Sequence, residues 1–76
     1  MKLYTIIDSR GPTTYYRSRA RAAIDLIDRL GDERPHSLTG SEIVQALTRS
    51  SRLWILTESS REVSVDWQEV ARGCTD

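Results

Sequence analysis

Phenylalanine is absent from this 76-residue chain, and lysine, cysteine and histidine each occur once. A single cysteine, Cys74, excludes an internal disulfide, and with it the stapled frameworks of small secreted domains. Set beside only His36 and scattered carboxylates, it also supplies no zinc spacing. No Asp-x-Asp-x-Asp loop for calcium is present. Metal and cofactor are therefore expected to be none. The longest apolar run, Leu53-Trp54-Ile55-Leu56, is far too short to span a bilayer. Residues 1–20 lack an apolar core of signal-peptide length. The expectation is a cytoplasmic protein without a membrane segment. The glycines, Gly11, Gly31, Gly40 and Gly73, stand apart, each with a turn or cap to explain it, and form no phosphate-cradling loop.

With phenylalanine missing, Trp54, Trp67, Tyr4, Tyr15 and Tyr16 carry all the aromatic mass. A chain of this length buries only about 60–65% of its unfolded surface, so the core is thin. Such cores often lean on a partner or on a second copy of the chain. Hydrophobic residues at 38% and charged residues at 29% fit one globular domain over residues 1–76 rather than a disordered tail. Ten of the eleven basic residues are arginine, a codon bias found in GC-rich bacterial and phage genomes.

The formal net charge is zero, which argues against a free-standing nucleic-acid binder. The distribution is uneven. Residues 1–23 hold Lys2, Arg10, Arg17, Arg19 and Arg21 against Asp8, a net of +4. Residues 58–76 hold Glu58, Glu62, Asp66, Glu69 and Asp76 against Arg61 and Arg72, a net of −3.

Periodicity supplies the architecture. Residues 2–8 are β-branched and aromatic and read as a strand, with both faces partly covered. Ser9-Arg10-Gly11-Pro12 is a turn, and 13–17 returns as the second arm of a hairpin. Ser18 is a good N-cap for a helix over 19–30. Its apolar positions Ala20, Ala23, Ile24, Ile27 and Leu30 predict the buried stripe, with Leu26 at the edge. Arg21, Asp25 and Arg29 predict an i,i+4 ladder on the wet face. Gly31 suits the position that ends the helix. Residues 32–40 read as a loop. Thr39 and Glu42 have the spacing of a capping box, opening a helix to about Thr48 with Ile43, Val44 and Leu47 inward. Strands follow over 52–57 and 62–67 around a turn at 58–61. Val63, Val65 and Trp67 alternate inward and Ser64 and Asp66 outward. Trp67 is thus expected to be mostly buried, and Trp54, opposite in parity to Leu53 and Ile55, exposed. Beyond it, Asp66-x-x-Glu69 either caps a short helix through Arg72 or the strand runs on to Val70. The order is ββααββ, an α+β fold with one antiparallel sheet and helices on one face.

No catalytic constellation emerges. His36 lies in a polar loop without the carboxylate or nucleophile that general-base chemistry requires. Binding candidates are richer. Tyr15, Tyr16, Arg17, Arg19 and Arg21 crowd a strand-to-helix junction. Arg and Tyr suit a protein hot spot, and equally phosphate contact and base stacking, or simply a solvated helix start. Trp54 is a candidate anchor. Glu58, Glu62 and Asp66 lie on the last hairpin, where alternation puts Glu62, Ser64 and Asp66 on one face. Such a row either imitates phosphates or is ordinary soluble surface.

The opening Met1-Lys2-Leu3-Tyr4-Thr5-Ile6-Ile7-Asp8, the hairpin after it and the Arg17-Ser18-Arg19-Ala20-Arg21-Ala22-Ala23 segment resemble small phage-encoded inhibitors, in particular anti-CRISPR proteins. The resemblance covers about the first third of the chain. That group shares no common fold or signature, so it assigns no residue roles. It implies a stoichiometric inhibitor that binds a bacterial CRISPR effector of the Cascade type and blocks access of target DNA. The alternatives are a non-catalytic protein-interaction domain, alone or as a homodimer, and a weak nucleic-acid-binding regulator acting through Arg17–Arg21.

Overall fold

The computed structural model describes residues 1–70. Strand β1 (Lys2–Asp8) turns into β2 (Thr14–Tyr16). Helix α1 (Arg19–Leu30) follows, then a single 3₁₀ turn (Gly31–Glu33) and helix α2 (Gly40–Ser50). Strands β3 (Arg52–Leu56) and β4 (Glu62–Glu69) close the order. All pairings are antiparallel in one four-stranded sheet, order β2-β1-β4-β3. The ββααββ arrangement expected from the sequence is the observed one.

Local signals set the helix ends. The Ser18 side chain accepts a hydrogen bond from the Arg21 N–H, and that of Thr39 from the Glu42 N–H. Gly31 ends α1 at φ 51°, a value costly for a side chain with a Cβ, and donates its N–H to the Ile27 carbonyl. The first turn of the predicted 32–40 loop is helical, in the 3₁₀ turn. At the last strand the two readings resolve: β4 runs to Glu69 and the Val70 N–H bonds the Met1 carbonyl, so Asp66 caps no helix. Arg72, Gly73 and Cys74 lie outside the described residues.

Residues opposite one another in an antiparallel pair share a face. Tyr4, Ile6, Asp8, Thr14, Tyr16, Leu53, Ile55, Val63, Val65 and Trp67 thus line one face, under the helices. There Tyr4, Ile6, Ile55, Val63 and Val65 pack with Ala22, Ala23, Leu26 and Leu30 of α1 and Ile43 and Leu47 of α2. Among the described residues no helix is long and apolar enough to cross a membrane.

One burial expectation is overturned and another holds only in part. Helix α1 buries Ala22, Ala23, Leu26 and Leu30. Ala20 and Ile24 are exposed, the latter at 62%, and Ile27 is half-buried. The stripe is turned because Asp25 and Arg29 do not face water; they are drawn inward onto Thr14, Tyr16 and Asp8. Arg21 takes no part in the ladder among the described residues. Trp67 has the predicted parity but keeps 37% of its surface exposed. It stands in the last covered row, one side against Tyr4 at 4.5 Å between ring centroids, and so large a ring is rarely enclosed completely.

Candidate functional site

The outer face of the sheet, turned away from the helices, is the first candidate; Leu3 and Thr5 are buried on it, so it is covered in part, as expected for β1. Register places Thr5, Tyr15, Asp66 and Arg52 in one row, Ile7, Ser64 and Trp54 in the next, and Glu62 beside Leu56 at the turn end. Ile7, Trp54 and Leu56 are 49%, 59% and 56% exposed. A cluster of large apolar side chains rimmed by charge is costly to leave in water and is characteristic of interaction surfaces. The indole is held in place: Trp54 Nε1 donates to Glu62 Oε1 at 2.8 Å. Arg52 Nε donates to Asp66 Oδ1 at 3.0 Å, an exposed pair of small energetic weight. Beyond them the N-terminal ammonium donates to Glu69 Oε1 at 2.9 Å.

Of the residues singled out in the sequence, the fold brings Tyr15, Trp54, Glu62 and Asp66 onto this one face. It does not bring the others there. Tyr16 points under the helices, its hydroxyl donating to Asp25 Oδ2 at 2.5 Å. Arg19 donates from Nη1 to Thr48 Oγ1 at 2.7 Å and ties α1 to α2. Arg17 is exposed and reaches the Met1 sulfur. Arg21 is exposed on α1, at a shallow groove shared with Tyr16, Ile24, Asp25 and Asp28. Glu58 is exposed in the β3–β4 turn. The junction that looked like one basic and aromatic patch is dispersed over the covered face, the helix pair and the surface. Within the acidic row, Glu62 and Asp66 already accept hydrogen bonds from Trp54 and Arg52.

Within that face Thr5 is only 2% exposed, and its Oγ1 has no hydrogen-bond partner among the described residues. A buried hydroxyl left unpaired costs about 1–3 kcal/mol. Thr5→Val keeps the shape and removes the unmet group, so it should raise stability by about 1 kcal/mol in chemical denaturation. A loss of that size would show that the hydroxyl is satisfied in solution.

A second constellation, not foreseen in the sequence, sits at the end of the covered face. The Asp8 side chain is fully shielded. Arg61 grips it with both arms, Nη2 to Oδ2 at 2.6 Å and Nε to Oδ1 at 3.1 Å. Arg29 Nη1 donates to the same Oδ2 at 3.2 Å, and the Arg10 N–H to Oδ1 at 2.9 Å. Arg29 also donates from Nε to Asp25 Oδ1 at 2.8 Å, and to the Pro12 carbonyl and Thr14 Oγ1. A Cβ on Gly11 would stand 2.8 Å from Asp8 Oδ2, so only glycine lets the turn pass so close. The Arg61 hydrogen bonds hold the Asp8 carboxyl far below its ordinary value of 3.8, against the burial that would raise it. Burial also raises Asp25, but hydrogen bonds from Arg29, Tyr16 and Thr14 outweigh it and bring that carboxyl down. The Tyr16 hydroxyl is pushed up by its bond to Asp25. The network stitches β1, the first turn, α1 and the last hairpin together. Every charge in it is paired, which is the arrangement of a structural brace.

His36 is exposed, in a groove between the Asp32–His36 segment and the β3–β4 turn. Among the described residues no three His, Cys, Asp or Glu side chains converge as metal ligands. No protein-family model, curated protein or solved structure matches the chain.

Proposed function

We propose that this chain is a non-catalytic binding domain that engages a protein partner through the exposed part of the outer face of its sheet. One observation carries the reading: Ile7, Trp54 and Leu56 stand exposed together there, with the indole fixed by Glu62. Aromatic anchors held rigid before contact lose little freedom on binding and dominate interface energy. Arg52, Glu62 and Asp66 supply a charged rim that would set register and encounter rate more than affinity.

The narrower form of the proposal takes its partner from the resemblance of the first third of the chain to anti-CRISPR proteins. In it, the chain acts in the bacterial cytoplasm as a stoichiometric inhibitor of a Cascade-type CRISPR effector and blocks entry of target DNA. Anchoring by the apolar face supports this mode better than imitation of phosphates does, because Glu62 and Asp66 are engaged within the domain. Direct nucleic-acid binding finds less support, since Arg17, Arg19 and Arg21 form no continuous basic patch.

The test is target-DNA binding by purified CRISPR effectors, with and without excess protein. The expected result is loss of DNA binding, restored when Trp54→Ala and Leu56→Ala weaken the complex; truncating one central anchor typically costs about 2 kcal/mol, roughly thirtyfold in affinity. If several effector types bind and cleave DNA unchanged, the CRISPR reading falls and the general one remains. That one falls in turn if the Trp54→Ala, Leu56→Ala variant retains the same bacterial proteins as the wild type in pull-downs.

A further inference from the structure

Strand β3 forms one rim of the sheet. Its bonds to β4 are bracketed by the Trp67 N–H to the Ser51 carbonyl and the Thr57 N–H to the Arg61 carbonyl. Inward bonding in an antiparallel ladder falls on alternate residues, here Ser51, Leu53, Ile55 and Thr57. Arg52, Trp54 and Leu56 therefore turn their N–H and C=O groups outward. Among the described residues nothing pairs with these groups. The strand carries no proline or bulge, and its one charged residue, Arg52, is already paired with Asp66 of β4. The Trp54 indole is tied to Glu62 on β4, its neighbour inside the sheet.

The geometry points to a second copy of this chain as the occupant: β3 pairs antiparallel with β3 of its twin about a twofold axis through Trp54. In that register Trp54 meets Trp54, and Arg52 meets Leu56 in both directions, so every outward N–H and C=O finds a partner. The side chains agree. On the outer face, Ile7, Ser64 and Trp54 of one copy continue into Trp54, Ser64 and Ile7 of the other as one band. In the flanking rows Arg52 stands between Asp66 of its own chain and the Leu56–Glu62 pair of its twin. A guanidinium thus lies between two carboxylates, and symmetry repeats the match. The opposite rim is the three-residue β2, with Pro12 just before it, too short to template further growth. The contact is isologous and closes as a dimer with a continuous eight-stranded sheet rather than an open fibre.

The inference stands apart from the partner proposed above, and its test needs none. Sedimentation velocity and native mass spectrometry at tens of micromolar should give twice the chain mass of 8.7 kDa. Trp54→Lys puts like charges opposite each other at the axis and should give monomers with an unchanged circular dichroism spectrum. Trp54→Glu should do the same, and a mixture of the two should restore the double mass as a heterodimer. Ile24→Lys, on the exposed side of α1, should leave the dimer intact. A wild type that stays at the single-chain mass overturns the proposal. So does a Trp54→Lys protein that still dimerises, a mixture that stays monomeric, or dissociation caused by Ile24→Lys.

Discussion

Replacing Asp8 with alanine should cost about 3–5 kcal/mol of folding stability, because it strips the shared counter-charge from two shielded guanidiniums. Arg29 keeps only 9% of its side-chain surface and Arg61 17%, so neither is rescued by water. A domain of this length is stable by roughly 4–11 kcal/mol, so the loss takes a large share. The pH dependence should follow the same carboxyls. Asp8 and Asp25 both titrate below their ordinary values when folded. Their contribution is therefore complete above the unfolded carboxylate value near about pH 4 and is lost as the pH falls through the depressed folded values. Thermal melts of the wild type should drop steadily from about pH 5 to about pH 2, and those of Asp8→Ala should start lower and fall less steeply. Equal stabilities at pH 7 would show that the brace carries nothing.

Leu26→Ala should cost about 2–5 kcal/mol, whereas Ile24→Ala should stay within about 0.5 kcal/mol. The contrast is sharp because the two lie two residues apart on α1 and differ little in apolar volume. Leu26 has no exposed surface and belongs to the core cluster with residues of the sheet and α2, while Ile24 is 62% exposed. Its truncation leaves a cavity the thin core cannot close; the other sheds a side chain already in water. Urea midpoints measured side by side decide it, and the reverse order would place the helix on its other face.

That helix shows where a linear reading succeeds and where it stops. Its ends were legible, because Ser18 and Gly31 satisfy local backbone groups whatever the rest of the chain does. Its face was not. Charges at Arg21, Asp25 and Arg29 marked the wet side only on the assumption that charge seeks water, and Asp8 breaks that assumption from eleven residues before the helix begins. The partner that completes the brace, Arg61, is separated from Asp8 by 53 positions, and no periodicity reports such a meeting. Strand parity fared better. It placed Trp54, Glu62 and Asp66 together on the outer face, because alternation is a property of the backbone. The Tyr15–Arg21 junction failed as a patch for the same reason: successive strand residues must point to opposite faces, and the helix start swings the arginines elsewhere.

The two central strands, β1 and β4, are the first and last of the described strands, and their pairing runs from Lys2 opposite Glu69 to Asp8 opposite Val63. Seven of the fifteen paired positions in the sheet thus join residues at least 55 apart in the chain. On a ribosome, β1 would emerge first and have only the short β2 to pair with until Glu62–Glu69 followed. Closing so long a loop is paid in chain entropy before any contact repays it, which slows folding relative to a helical chain of equal length. Folding is then a late, nearly all-or-none event. The apolar strand Leu3–Ile7 spends synthesis unshielded, and that interval is where a cell would lose this protein to aggregation.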